Sequence, residues 1–151
     1  MRTGEATFEA AARLRKYGAD TILVKKLFAT SMKSRMRRSK VVASAEMYRG
    51  FAISVVGESF EDIRVVCSQA ADEMLNITGV DASVTVGWSC SARSLGKVNV
   101  QVLMENIGNK KDDGGGHLTM AGAQLYNIDK EEAVQKLYDA IDKYYNNLPQ
   151  D

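Results

Sequence analysis

The segment that decides the fold is residues 51–88, FAISVVGESFEDIRVVCSQAADEMLNITGVDASVTVGW. It opens with a short β-branched apolar run at 51–56 that Gly57 closes, which is typical of a buried strand. Residues 61–75 then carry apolar side chains at helical spacing, and residues 82–88 alternate with a period of two. A strand, a helix and a strand in succession indicate an α/β fold.

The same alternation continues toward the C-terminus. Residues 98–107 are predicted to form a helix with one apolar side, and residues 121–125 a short strand. The last helix is the clearest, because its apolar residues follow the i, i+3, i+4, i+7 rule from Val134 to Leu148. We therefore predict an α/β mixed-sheet sandwich with helices packed on the sheet.

The first third of the chain is predicted to be a helical attachment with little core of its own. Residues 7–17 are expected to form a helix that Thr7 caps and Gly18 ends. A second helix is expected to start at Asp20, and the basic stretch from Met32 to about Met47 is expected to be helical as well.

Charge is unevenly distributed along the chain, although the net charge is only +1. Residues 25 to 40 contain no acidic residue and seven basic ones, namely Lys25, Lys26, Lys33, Arg35, Arg37, Arg38 and Lys40. Such a segment could meet phosphate or an anionic lipid surface. Charge runs are more often solvated helix faces, so that interpretation is favoured and no membrane contact is expected.

The sequence shows no signal for secretion or membrane insertion. It has no run of about 18 apolar residues and no apolar stretch at its N-terminus. Cys67 and Cys90 are far apart and are not in a metal-ligand spacing. Reduced thiols in a cytoplasmic compartment are the expectation.

The first candidate site is the run DGGGHLTMAGA, which contains Gly114, Gly115, Gly116 and His117. Three consecutive glycines are costly in backbone entropy and mark a sharp turn or a close approach to a ligand. Their amides could converge on an anion, and a helix starting after them would add its positive end. His117, the only histidine, would lie beside that anion. A surface loop that happens to contain a histidine fits the residues equally well.

The second candidate site is the run WSCSARS, which begins at Trp88. It follows the alternating strand, so it is expected at a strand's C-terminal end, where open α/β sheets bind ligands. The guanidinium of Arg93, flanked by the hydroxyls of Ser91 and Ser94, suits a phosphate held by two parallel hydrogen bonds. Taken alone, the segment is better explained as a polar turn. Trp88 and Cys90 are expected in the core.

Together these motifs resemble the DHH-associated domain of the DHH-type phosphoesterases. The resemblance rests on Ser91-Ala92-Arg93-Ser94, on Gly114-Gly115-Gly116-His117 and on Ala121-Gly122. That family includes RecJ-like exonucleases, nanoRNases and the membrane-anchored cyclic-di-AMP phosphodiesterases of Gram-positive bacteria. The likeness to the last group covers nearly the whole chain, because residues 2–8 and 14–20 resemble the end of their catalytic domain.

The resemblance implies that residues 1–48 are the helical tail of a catalytic DHH domain with its linker, and that residues 49–151 are the DHH-associated substrate-binding domain. The parent protein would hydrolyse cyclic di-AMP to linear pApA, and would be membrane-anchored with this part in the cytoplasm. Two divalent metal ions, typically manganese, would be bound by the preceding domain. This chain has no Asp-His-His triplet. No metal, other cofactor or catalytic residue is therefore expected in it, and it should bind nucleotide weakly and hydrolyse nothing.

The same likeness assigns roles to the candidate residues. Ser91, Arg93 and Ser94 would hold phosphate or nucleotide edges, and Gly114 to His117 would bind the phosphate next to the one being cut. The chain departs from the family pattern at residues 108–113, which lengthen the loop before the glycines. Loop insertions cost little stability, so the fold is not threatened but the site geometry is.

Two other functions stay open. A domain of an exonuclease or nanoRNase would bind short single-stranded oligonucleotides in a basic groove with stacking aromatic side chains. The aromatic share of only 7% argues weakly against a long groove of that kind. A non-catalytic module that senses a ligand or forms a homodimer would bury a tyrosine such as Tyr138 or Tyr145 against a second copy.

Overall fold

The computed structural model describes residues 4–107, 114–125 and 129–147. Within these ranges the helices are α1 (Glu5–Lys16), α2 (Thr21–Leu27), α3 (Met32–Ala43), α4 (Ile63–Met74), α5 (Val100–Ile107) and α6 (Lys130–Asn146). The strands are β1 (Glu46–Tyr48), β2 (Phe51–Val55), β3 (Ala82–Val86), β4 (Ser89–Ser94), β5 (Gly114–His117) and β6 (Met120–Gln124). The predicted loop insertion at 109–113 and the predicted end of the last helix at Leu148 lie outside the described residues.

The strands form one mixed sheet in the order β1-β2-β3-β4-β6-β5. β2 and β3 are parallel, and the other neighbouring pairs are antiparallel. Helices pack on the sheet, and further helices precede it in the chain. The predicted α/β fold with a mixed sheet and an N-terminal helical segment is confirmed.

One face of the sheet carries the main core, beneath α5 and α6. The side chains there are large and fully buried, and include Phe51, Val84, Leu103, Met104, Leu137 and Ile141. Burying each of them contributes roughly 1.5–3 kcal/mol. Packing on this face holds α5 in a fixed position against β4, β5 and β6. The backbone of α5 therefore limits the space available to the glycines of β5.

The opposite face is covered only in part. α3 lies over β2, and α4 lies over β3 and β4. The buried hydroxyls of Ser54, Ser83 and Thr85 donate from these strands to backbone carbonyl oxygens of the two helices. Because those polar groups are satisfied, the strands tolerate them at buried positions. Beyond α4, the surface of β6 and β5 is open.

The third helix is shorter than predicted. α3 ends at Ala43, and residues Glu46–Tyr48 form β1, which pairs antiparallel with β2. Arg49 and Gly50 make the turn with φ of 47° and 81°, a left-handed geometry at both positions. The prediction of helix to Met47 is wrong because pairing with β2 gives this segment a sheet ladder that local helix propensity does not outweigh.

Two predictions concern the residues at which the first two helices begin. The cap expected at Thr7 is wrong, because α1 begins at Glu5 and its N-cap Gly4 makes no side-chain cap bond. The start expected at Asp20 is confirmed, because its carboxylate accepts a hydrogen bond from the Ile22 backbone N–H at 2.7 Å. No helix in the part of the chain that the structure describes is long and apolar enough to cross a membrane.

α1 and α2 bury none of their residues. Large apolar side chains on and around them are exposed, including Phe8, Leu14, Tyr17, Ile22, Leu27 and Phe28. Exposed apolar side chains in this number are typical of an interaction surface. α3 differs, because Val41 is buried and two arginines form ion pairs with the body, Arg37 with Asp62 at 2.9 Å and Arg38 with Glu73 at 3.0 Å.

A shortened chain of residues 31–151 should keep the fold. Removing α1 and α2 takes away no buried side chain, so the thermal midpoint should change by less than about 2 °C. Self-association should fall, because the exposed apolar side chains are removed. Thermal unfolding followed by circular dichroism, together with light scattering, measures both effects.

The matched control is a chain of residues 45–151, which also lacks α3. It loses the buried side chain of Val41 and the carbonyl oxygen that accepts the Ser54 hydroxyl hydrogen at 2.6 Å. We expect it to unfold several degrees lower. An equal decrease of the thermal midpoint in both shortened chains would contradict this difference, because the further removal of α3 would then have no effect on stability.

Candidate functional site

The segment with the predicted phosphate-binding arginine is a strand, not a polar turn at a strand end. β4 (Ser89–Ser94) returns from β3 through a turn at Gly87 and Trp88 and pairs antiparallel with both β3 and β6. Trp88 is 70% exposed, so its predicted core position is wrong, because the turn projects it beyond the sheet. The predicted core position of Cys90 is confirmed, since it is 2% exposed.

The glycine run is also a strand. β5 (Gly114–His117) pairs antiparallel with β6 at the edge of the sheet, and a short turn through Leu118 and Thr119 joins the two strands. The expected helix start after the glycines is therefore wrong. The run forms a hairpin because its backbone groups pair with those of Met120 to Ala123.

Two of the glycines are required by close packing. A β-carbon on Gly114 would lie 2.0 Å from the carbonyl oxygen of Met104 in α5. One on Gly116, where φ is 149°, would lie 2.4 Å from the carbonyl oxygen of Met120. A β-carbon on Gly115 would meet nothing within 4 Å. Gly114 and Gly116 therefore allow β5 to pack closely against α5 and β6, whereas Gly115 lies on an open surface.

The strand register brings the two candidate segments onto one face. Directly paired residues of neighbouring antiparallel strands share a face. Ser91 pairs with Gly122, which pairs with Gly115, and Arg93 pairs with Met120, which pairs with His117. Arg93 and His117 are thus two strands apart in one row, at a backbone separation of about 10 Å. Their action on a shared anion stays a prediction.

A cleft of about 450 Å³ lies between the first turn of α4 and the open surface of β4, β6 and β5. It is lined by Arg64, Ser89, Cys90, Ser91, Gly114, Gly115, Gly122, Ala123 and Gln124. Of the residues expected to bind substrate, Ser91, Gly114 and Gly115 line it. Arg93, Ser94, Gly116 and His117 are not among its lining residues.

Arg93 is held tightly beneath α4. Its side chain is 9% exposed; Nε donates to Asp72 Oδ1 at 2.7 Å, and the two terminal nitrogens donate to Ser68 Oγ and the Ala92 carbonyl oxygen. Arg93 therefore has a structural role in addition to the phosphate contact expected from the sequence. These three bonds use three of the five guanidinium N–H groups.

Ser94 and His117 have different surroundings. Ser94 is 3% exposed, and its Oγ accepts hydrogen bonds from the backbone N–H groups of Gly96 and Val98 at 3.0 and 3.3 Å. This hydroxyl thereby orders the loop that leads into α5. His117 is exposed at the end of the edge strand, where its imidazole is accessible to a ligand.

Sequence reasoning missed Arg64, the charged residue of the cleft lining. The signal was available, because Arg64 is the only basic residue of α4. What could not be read from the sequence is that β4 and β6 lie beside the first turn of this helix. Only the strand order places Arg64 opposite Ser89 and Ser91.

The two thiols are protected by burial. Desolvation raises the pKa of Cys90 from its ordinary value of 9.0 to about 12 and also raises the pKa of Cys67. Between pH 9 and pH 12 the unfolded Cys90 thiol loses its proton while the folded one keeps it. The unfolded state then binds fewer protons, so the free energy of unfolding should fall as pH rises through this window.

At pH 8 a thiol reagent such as dithionitrobenzoate should react with neither cysteine of the folded chain, and with both after denaturation in guanidinium. Counting the released thiolate by absorbance checks this. Rapid reaction of a thiol in the native chain at pH 8 would contradict the buried positions of Cys67 and Cys90.

The described residues offer no fit for a two-metal centre. Among them no three His, Cys, Asp or Glu side chains lie close enough to share an ion. His117 is the only histidine of the whole sequence and is exposed on an edge strand. The described lining residues of the cleft offer hydrogen-bonding groups and one guanidinium.

The fold and motifs place this chain in a known family. Residues 49–147 match the family model of the DHHA1 domain, and the chain belongs to that family. The resemblance drawn from the motifs at 91–94 and 114–117 is thereby confirmed.

Curated relatives give the comparison more detail. The chain is 43% identical over 152 residues to the cyclic-di-AMP phosphodiesterase PdeA of Listeria monocytogenes, covering 96% of this chain and 22% of that protein. It is 41% identical over 154 residues to the cyclic-di-AMP phosphodiesterase GdpP of Bacillus subtilis, with coverage of 96% and 23%. The chain thus spans less than a quarter of the length of these relatives.

A solved structure shows the same fold at lower identity. The exopolyphosphatase-related protein from Bacteroides fragilis superposes with a TM-score of 0.75 at 21% identity. The match covers 95% of this chain and 45% of that chain.

Proposed function

We propose that this chain is the nucleotide-binding part of a phosphodiesterase that hydrolyses cyclic di-AMP to linear pApA. The observation that carries the proposal is the cleft between α4 and the open face of β4, β6 and β5. Its surface combines hydroxyls, accessible glycine backbone and an arginine, which together suit a phosphorylated ligand. The names of relatives that are 41% and 43% identical support cyclic di-AMP as the substrate.

In this proposal the chain positions the substrate and performs no bond cleavage. The Ser91 hydroxyl and the backbone at Gly115 contact the ligand where β4 and β5 face the cleft. Arg93 offers its remaining N–H groups from beneath α4, and His117 offers its imidazole from the edge strand. Gly114 and Gly116 contribute by letting β5 pack closely enough to form the cleft wall. Ser94 supports the site by ordering the loop after β4.

The rest of the parent protein supplies the hydrolytic chemistry in this proposal. Residues 1–48 are the helical tail and linker of a catalytic domain, and residues 49–151 are the substrate-binding domain. The exposed apolar side chains of α1 and α2 support a covering partner within the longer chain. Two divalent metal ions, manganese in the proposal, belong to that catalytic domain. The parent is anchored in a membrane with this part in the cytoplasm.

Calorimetric titration of the chain tests the proposal with three ligands: cyclic di-AMP, pApA and a short oligoadenylate. We expect saturable binding of the first two with a Kd of about 10–500 μM. A clear preference for the oligoadenylate would replace the proposal with an oligonucleotide-binding role. The absence of binding to any of the three would refute a nucleotide site within these residues.

Control incubations without the catalytic domain complete the test. The chain, supplied with Mn²⁺ and cyclic di-AMP, should release no pApA by chromatography, because the described residues hold no cluster that fits two metal ions. Turnover by the purified chain would contradict the assignment of hydrolysis to another domain.

A further inference from the structure

We propose that Arg64 binds a phosphate of the ligand in the cleft, about one turn of α4 away from the Ser68 contact of Arg93. This inference rests on the proposed function and deepens it. It assigns the site a second cation, located on α4 and outside the two motifs that the sequence singled out. The ligand class that follows is a nucleotide with two phosphates, one near each arginine.

The charge of the cleft lining comes from Arg64. The other described lining residues are serines, glycines, alanine, cysteine and a glutamine, and none of these is acidic. A guanidinium in such a lining makes the cleft attractive to anions, because none of the described lining residues brings a competing carboxylate. The glycine and serine groups alone would bind neutral polar ligands as readily.

Arg64 is also available for a ligand. Among the residues that the structure describes, no hydrogen bond or ion pair engages its guanidinium. The nearby arginines differ: Arg37 pairs with Asp62, Arg38 with Glu73, and Arg93 with Asp72. A guanidinium with both N–H edges free can bind a phosphate by two parallel hydrogen bonds.

Arg64 and the α4 residue that Arg93 contacts lie on the same side of the helix. Ser68, which accepts a hydrogen bond from Arg93, lies one turn after Arg64 on the same side of α4. That turn corresponds to a rise of about 6 Å. On the facing strand, the four-residue step from Ser89 to Arg93 spans about 13 Å. Arg93, which is not among the lining residues of the cleft, therefore lies about one turn of α4 beyond Arg64, and the proposed ligand would place one phosphate near each arginine.

The test is calorimetric titration of the full chain with cyclic di-AMP as the probe. Arg64→Gln should weaken binding about 10- to 100-fold, because it removes a charge-assisted pair of hydrogen bonds. Arg64→Lys keeps the charge but not the planar guanidinium, so its affinity for cyclic di-AMP should lie between those of the wild type and Arg64→Gln. Raising the salt concentration should weaken the wild type more than Arg64→Gln.

The matched control is Arg35→Gln, which removes an equally exposed and unpaired arginine from α3, outside the cleft. It should bind like the wild type. All three variants should keep the wild-type thermal midpoint, because neither arginine makes a described contact that stabilises the fold.

The outcomes separate this inference from the proposed function. Wild-type binding with equal affinities for Arg64→Gln and Arg35→Gln would overturn the role of Arg64 while leaving the nucleotide site intact. Failure of the wild type to bind would refute the proposed function itself, and the role of Arg64 with it. Selective weakening in Arg64→Gln, partly restored in Arg64→Lys, supports the inference.

Discussion

Replacing Gly114 by alanine should lower the free energy of unfolding by about 2–3 kcal/mol, because the new β-carbon has no room. It would lie 2.0 Å from the carbonyl oxygen and 2.6 Å from the carbonyl carbon of Met104. Both are backbone atoms of α5, a helix whose buried side chains fix it in the main core. β5 must therefore shift away from α5 or leave the sheet, and the cleft wall is lost with it.

The neighbouring glycine is the matched control. A β-carbon on Gly115 meets nothing within 4 Å, so Gly115→Ala should change stability by less than about 0.5 kcal/mol. The added methyl group lies toward the cleft, so binding of cyclic di-AMP should fall about tenfold. Chemical denaturation and calorimetric titration of both variants measure these effects. Equal stability of the two variants would contradict the close contact between β5 and α5.

The second large effect is expected at Arg93. Arg93→Ala should lower the free energy of unfolding by about 2–3 kcal/mol, because a buried guanidinium and its three hydrogen bonds are lost. The aliphatic part of the side chain packs between β4 and α4, and its removal leaves a space there. Cyclic di-AMP binding should fall as well, since the same group offers N–H donors to the ligand.

Asp72→Asn distinguishes the contribution of the Arg93–Asp72 ion pair from that of the other contacts of Arg93, with Ser68 and the Ala92 carbonyl oxygen. The Asp72 side chain is 57% exposed, so its charge is screened and the change should cost less than about 1 kcal/mol. Urea denaturation of both variants gives the comparison. If Arg93→Ala kept wild-type stability but lost binding, the guanidinium would serve the ligand alone, and its contacts with α4 would be incidental.

Much of the architecture follows from local pattern. The run at 51–55 is rich in apolar residues, the run at 82–86 alternates with a period of two, and the amphipathic α4 between them was sufficient to predict an α/β fold. The last helix followed from its unbroken apolar spacing. These features could be predicted because each strand or helix buries a face that its own residues reveal.

The candidate site was harder to predict, because its geometry depends on strand pairing. The sequence of three glycines is the same whether they bind an anion or pack against a helix. Only the close approach to Met104 shows that Gly114 is required for packing against α5. Arg93 could be recognised as a candidate but not placed beneath α4. The partner that holds it, Asp72, lies 21 residues away on another element. Arg64 was missed for the same reason.

Titration of the ¹⁵N-labelled chain with cyclic di-AMP, followed through its amide resonances, tests the claim that the cleft beside α4 binds the nucleotide. We expect the largest shifts at Ser91, Gly115 and Gly122, at the Nε–H of Arg64, and little change in α1 and α2. Shifts confined to the N-terminal helices or to the α6 surface, or no shifts at millimolar ligand, would contradict the claim.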